Sequence, residues 1–331
     1  MRKNLQKYFP MIKTREEILA TITNNPKLYR RFSKWDESQQ NDFLDFCSGA
    51  KGIKILYDSF FKEVFNPEYS PRRLNKLLSV IMGMKVTIIK VLPIDSTRMA
   101  DETSLVAMDI VVELEDGSII NVEIQKIGYL FPGQRSACYS ADLLLRQYKR
   151  IRNIHKENNT KFHYDDIKPV YTIVFFEKSP QIFKEFPNDY IHRVKYTSDT
   201  GVELELLQKY IFIPLDIFQK VRHNKTVETE LEAWLTFLSS DDVEDIIELI
   251  EKFPEFKPLY ETLYRMCENI EGVMNVFSEE LYQLDKNTVE FMVDEFSRTI
   301  EEQKVLLAEK DAIIAKLMQQ IKEQNIDEAV D

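Results

Sequence analysis

The stretch Met108-Asp-Ile-Val-Val-Glu-Leu-Glu-Asp-Gly-Ser-Ile-Ile-Asn-Val-Glu-Ile-Gln125 decides the fold. Asp116-Gly117 stands between two β-rich runs, a hairpin signal. Loop length then determines which residues share a face. A two-residue loop pairs Asp109 with Ile124 and mixes polar and apolar side chains on both faces. A three-residue loop, Glu115-Asp116-Gly117 with glycine in the left-handed position of a bulge, pairs Asp109 with Glu123. In that register Ile110, Val112, Leu114, Ile120, Val122 and Ile124 form one apolar face. Asp109, Glu113, Asn121, Glu123 and Gln125 fall on the other. Burial favours the second register, because a one-residue slip would move a strand's apolar set to the wrong side. It sets the Asp109 and Glu123 side chains opposite each other, with β-carbons about 5 Å apart.

Two carboxylates that close repel unless something neutralises them. On a wet sheet face they cost little. On a face covered by helices they imply a shared proton or a cation. Oxygen ligands at this spacing suit Mg²⁺, which takes one or two carboxylates together with water and phosphate oxygens.

Outward from the hairpin, Val86, Ile88, Ile89 and Val91 predict a preceding strand over 85–92. Pro132-Gly133 marks a loop, and a helix is expected over 134–154. The nearly unbroken apolar run Val170–Phe176 reads as a buried strand, with further strand-like segments near 189–197, 202–206 and 209–213. Upstream, Thr14-Arg-Glu-Glu17 and Asp36-Glu-Ser-Gln39 are helix starts, the first a capping box, and Gly49 is a stop. Helices are expected from Ile53 to about Phe65, closed by Asn66-Pro67, and from Pro71 to Met82, closed by Gly83. After Thr226 the pattern is helical to the end. Ile300, Leu307, Ile314, Leu317 and Ile321 approach heptad spacing over about three heptads. The expected architecture is α/β: a mixed sheet flanked by helices, with an N-terminal helical extension and an all-α C-terminal tail. The expected divisions are 1–50, 51–225, 226–299 and an acidic tail, 300–331, with coiled-coil spacing.

Composition narrows the function classes. No run approaches the ~18 apolar residues of a membrane span, and the first residues lead into no secretory apolar segment. Cys47, Cys138 and Cys267 are dispersed, and with four scattered histidines they offer no zinc spacing. A reducing cytoplasm is the expected compartment. No Walker loop or dinucleotide fingerprint appears. The net charge of −11 conceals an asymmetry: residues 1–225 carry a net of +7 and residues 226–331 a net of −18. The first two thirds can approach a polyanion. Within 133–156, Arg135, Arg146, Lys149, Arg150, Arg152 and Lys156 face one acid, Asp142. That density favours phosphate contact through counterion release.

An aspartate, about fourteen residues, and Glu-x-Gln on the returning strand resemble the PD-(D/E)XK nuclease signature. More closely, the chain resembles the PD-(D/E)XK nuclease family transposases, also called the recombination-promoting nuclease family. The resemblance rests on Tyr57-Asp58-Ser-Phe-Phe-Lys62-Glu-Val-Phe65, Leu77-Leu78, Asp109, Asp116-Gly117 and Asn121-Val-Glu123-Ile-Gln125. It continues through Phe131-Pro132-Gly-Gln-Arg135-Ser-Ala-Cys-Tyr139 and Arg146-Gln147-Tyr148, and more weakly through Lys168–Ile173 and Glu203–Leu215. Ala233-Trp234-Leu235 and Phe237-Leu238 resemble the family's usual C-terminal part.

The resemblance implies a restriction-endonuclease-like core that hydrolyses DNA phosphodiesters with Mg²⁺ (or Mn²⁺). By it, Asp109 and Glu123 are metal ligands, and Asp58, which matches the family's first acidic position, is preferred as a third over the alternative Glu63. Gln125 takes the position of the wider superfamily's catalytic lysine, a departure that this family often shares. A neutral amide can orient a water but cannot take its proton. Arg135, Arg146, Lys149 and Arg150 become the DNA-binding set, and the last helix a means of pairing with a second copy. Two other readings stay open: a catalytically inactive relative retained for DNA binding or assembly, and a helical scaffold built on 300–324.

Overall fold

The computed structural model describes residues 4–92, 110–127 and 132–327. Five helices precede the sheet: α1 (Arg15–Thr23), α2 (Pro26–Phe32), α3 (Glu37–Cys47), α4 (Asp58–Val64) and α5 (Pro71–Met82). Both start signals are capping boxes. Thr14 Oγ1 accepts from Glu17 N while Glu17 accepts from Thr14 N, and Asp36 and Gln39 do the same. In α5, Pro71 occupies the first turn, Leu74, Leu77, Leu78 and Ile81 form the buried stripe, and Gly83 closes the helix at φ +69°.

The helix expected from Ile53 begins only at Asp58. Gly52 donates to Asp241 O at 2.7 Å, and a Cβ built there would lie 2.9 Å from the same oxygen. Backbone contact at Gly52 holds the chain against the 240–242 turn, and Ile53, Ile55 and Leu56 are buried there without helical structure.

The sheet has β1 (Ile88–Val91), β2 (Ile110–Leu114) and β3 (Ile119–Ile127), then, after α6 (Pro132–Glu157), β4 (Val170–Lys178). After α7 (Gln181–Lys184) come β5 (His192–Arg193) and β6 (Gln208–Pro214). Its order is β1-β2-β3-β4-β6-β5. The β1-β2-β3 meander is antiparallel, β3, β4 and β6 run parallel, and β5 pairs antiparallel with β6. The hairpin takes the three-residue register: Ile110 opposes Val122 and Val112 opposes Ile120. Gly117 has φ +85°, and its N–H donates to Leu114 O at 2.9 Å. Of the strands expected near 189–197 and 202–206, only His192–Arg193 and one Thr197–Glu203 bridge form. Val202, Leu204 and Leu206 alternate along the chain but are exposed, so the pattern has no core to face.

Four helices follow: α8 (Leu215–Arg222), α9 (Glu230–Ser239), α10 (Val243–Lys252) and α11 (Lys257–Cys267). The last is α12 (Ile270–Asp327). Residues Met1–Gln283 form one compact unit and Leu284–Asp331 a second. In the first unit, Ile110, Val112, Leu114, Ile120 and Val122 share a core with α4, α5 and the C-terminal helices. Phe277 of α12 meets Trp35 and Phe43 there, with ring centroids 4.8 and 5.5 Å apart. The other sheet face is also buried: Val111, Ile119 and Val170 pack with Tyr139 and Leu143 of α6. No helix among the described residues is long and apolar enough to cross a membrane. The second unit is helical through Asp327. Its Val293, Phe296, Ile300, Leu307, Ile314 and Leu317 are exposed.

Candidate active site

β3 carries the chemistry. Alternation puts Asn121, Glu123 and Gln125 on the face that α6 covers and Val122 on the opposite, apolar face. Glu123 is 2 % exposed, Asn121 0 % and Gln125 4 %. The two amides flank the carboxylate: Asn121 Nδ2 donates to Oε1 and Gln125 Nε2 to Oε2, each at 3.3 Å. Several polar atoms on this face lack partners. Asn121 Oδ1, Gln125 Oε1 and Thr172 Oγ1 of the adjacent strand, and Ser136 Oγ and Ser140 Oγ of α6, are buried and have no hydrogen-bond partner among the described residues. Buried polar atoms are ordinarily satisfied, so two orphaned amide oxygens flanking a buried carboxylate on one strand suit a partner that supplies positive charge. A hard, oxygen-seeking divalent cation has that chemistry. The donor set fits such an ion in type. In number it does not suffice alone: no group of three His, Cys, Asp or Glu side chains able to hold a metal occurs among the described residues.

The sequence-predicted residues divide. Glu123 and Gln125 are brought together. Asp109 lies outside the described residues, next to Ile110, whose partner is Val122. Asp58 is the first residue of α4. Its half-exposed carboxylate pairs with Lys62 at 2.8 Å, and its N–H donates to Glu280 Oε1 at 2.8 Å. Glu280 is 5 % exposed and pairs with Lys126, the residue after Gln125, which points to the opposite face. The Lys126 ammonium also lies 5.1 Å from the Tyr57 ring centroid. Burial, reinforced by the carboxylates of Asp42, Glu177 and Asp241, pushes the Tyr57 hydroxyl well above its ordinary pKa, so the ring stays neutral beside that cation.

The proposed DNA-contact residues are not equivalent. Arg150 forks onto Glu113 of β2 at 2.6 and 2.8 Å. Arg146 pairs with Asp142 at 2.7 Å, and Arg135 lies over the Tyr139 ring, 5.2 Å from its centroid. Lys149 is exposed. Gln147 ties α6 to the sheet: its Nε2 donates to Gly117 O at 3.3 Å and its Oε1 accepts from Lys168 N at 2.7 Å.

Sequence reasoning assigned no site role to Asn121, Thr172, Ser136 or Ser140. Their signals were present: an asparagine two residues before Glu123 on its face, a threonine in an apolar strand, and serines at i and i+4 on the buried stripe of α6. A cavity of about 330 Å³ lined by Lys54, Glu177, Asp216 and Asp241 lies elsewhere and contains none of these residues. A family model described as PD-(D/E)XK nuclease family transposase matches residues 55–290. No curated protein and no solved structure matches the chain.

Proposed function

The chain belongs to the PD-(D/E)XK nuclease family transposases, and from that premise we propose that it is a metal-dependent DNA endonuclease, hydrolysing phosphodiesters with Mg²⁺ or Mn²⁺. The observation that carries this reading is the buried Glu123 between two amides whose own oxygens have no hydrogen-bond partner among the described residues. Continuing the β2–β3 register by one residue would set Asp109 opposite Glu123 and supply the second carboxylate. Asp109 and Glu123 are the proposed ligands, with the Asn121 and Gln125 amide oxygens within the same row. Asp58 joins this set only by leaving its pair with Lys62.

Asp109 and Glu123 would hold a divalent ion, whose chemistry there would be to polarise the scissile phosphate and lower the pKa of water. The chain's own residues do the rest. Gln125 is neutral at every working pH, so it orients by hydrogen bond and takes no proton. Asn121 and Gln125 hold Glu123 in one rotamer, and α6 keeps bulk water from the row, which strengthens every charge interaction inside it. Three free cysteines suit a reducing, cytoplasmic setting.

A second reading, a catalytically inactive DNA-binding or assembly protein, is favoured by one observation: at 2 % exposure Glu123 cannot meet a phosphate unless the N-terminal part of α6 moves. Nicking of supercoiled plasmid separates the two. Wild type is expected to nick with Mg²⁺ or Mn²⁺ and not in EDTA, and Asp109→Ala is expected to be silent. Absence of nicking by wild type with either metal would favour the inactive relative.

A further inference from the structure

Beyond the hairpin tip, the end of α6 and the 158–168 loop build an aromatic and cationic surface that the proposed site does not use. Phe162 stands edge-on to Tyr148 and to Tyr164, with centroids 5.6 and 5.3 Å apart. The Arg152 guanidinium lies over the Tyr148 ring, 5.3 Å from its centroid, and donates to its hydroxyl at 2.8 Å. The loop beneath is fixed: His155 meets Thr160 at 2.7 Å through Nδ1 and Asp166 at 3.1 Å through Nε2, and His163 N donates to Asp166 at 2.7 Å. On this rigid base Tyr164 is 75 % exposed. Lys149, Arg152 and Lys156 recur at helical spacing on α6 and Lys161 precedes Phe162 in the loop; all four are exposed, and no carboxylate pairs with any of them among the described residues. Of the acids in the same stretch of chain, Glu157, Asp165 and Asp166, the last is engaged by His155.

We infer that this surface binds single-stranded DNA, with an unpaired base stacking on Tyr164 and the flanking phosphates on Lys149, Arg152, Lys156 and Lys161. The inference rests on the DNA-nuclease reading for its polymer and adds the strand form. An exposed ring braced edge-on by Phe162 offers a π-face at little entropic cost, and bases stack on such faces irrespective of sequence. A duplex keeps its base faces inside the helix, so only an unpaired stretch can use the ring. The four cations supply the counterion-release part of the affinity. Placement suits the task. Ser140 and Arg152 are about 18 Å apart along α6, the helix that covers the sheet face bearing Glu123. That is about five nucleotides at the ~3.4 Å rise of a stacked strand, and fewer for an extended one, so a strand on the platform can extend toward the proposed site.

Fluorescence anisotropy of the full chain in EDTA tests this without any cleavage, with a labelled single-stranded 12-mer, its duplex and the RNA strand of the same sequence. Wild type should bind the single strand more tightly than the duplex. Tyr164→Ala should weaken single-strand binding about tenfold and leave duplex binding unchanged, while Tyr164→Phe, which keeps the ring, should stay within about twofold of wild type. Equal losses on single strand and duplex, an unchanged Tyr164→Ala, or a Tyr164→Phe as weak as Tyr164→Ala would each overturn the stacking role. Tighter binding of RNA than of DNA would overturn the choice of polymer. Plasmid nicking that fails while this pattern holds would remove the nuclease reading and leave the platform; normal nicking with no effect of Tyr164→Ala would do the reverse.

Discussion

Lys126 and Glu280 show how a single pair connects three elements. Their side chains are 13 % and 5 % exposed, and Glu280 also receives the Asp58 N–H at 2.8 Å. Removing one partner of a buried pair leaves the other desolvated, at a cost of about 3–5 kcal/mol. Glu280→Ala should therefore lower the unfolding free energy by that amount, read as a fall in the urea midpoint. Glu280→Gln, which still accepts from Asp58, should be milder; a midpoint unmoved by either change would show that the pair contributes nothing. Sequence alone could not find this contact. Glu280 lies more than 150 residues from Lys126 in an acidic helix full of similar glutamates. That Asn121, Glu123 and Gln125 share one face, by contrast, was legible because period-2 alternation within one strand is local, although no site role was assigned to Asn121.

Among the elements, the β2–β3 hairpin was readable because one choice, a two- or three-residue loop, decided the fate of six apolar side chains. Gly117 at φ +85° fits the longer loop. The 53–57 segment was misread because its apolar residues satisfy helical spacing as well as the turning, non-helical path that follows the Gly52 contact. The 202–206 alternation failed for want of a covering layer. Helix α6 was placed correctly, but its arginines could not be sorted by role. Arg150 is fastened to Glu113, which is only 16 % exposed, whereas Lys149 faces solvent. Lys149→Ala should therefore lower the slope of log affinity for duplex DNA against log salt by about one unit and leave stability unchanged. Arg150→Ala should instead destabilise the fold by about 1–3 kcal/mol, through the Glu113 carboxylate left behind. A salt slope lost with Arg150 and kept without Lys149 would reverse the assignment.

At the scale of the whole molecule, the charge asymmetry seen in the sequence follows the elements: the acidic third contains α9 to α12, while α6, which packs on the sheet, carries the basic cluster. The helix of the second unit exposes Val293, Ile300, Leu307 and Ile314 seven residues apart, with Phe296 and Leu317 between them in the heptad. Such a stripe suits a second copy of the chain. Ending the chain after Gln283 should reduce the mass seen by light scattering and leave metal-dependent nicking intact. Loss of nicking at unchanged mass would place the tail in the active site. The central claim is that the Glu123 row is a metal site for DNA cleavage, and it is tested most directly by nicking of supercoiled plasmid over an Mg²⁺ titration, wild type beside Glu123→Gln. Nicking is expected to rise with Mg²⁺ in wild type and to be absent at every concentration in Glu123→Gln, with both proteins equally folded. Equal nicking by the two would mean that the Glu123 row is not the metal site.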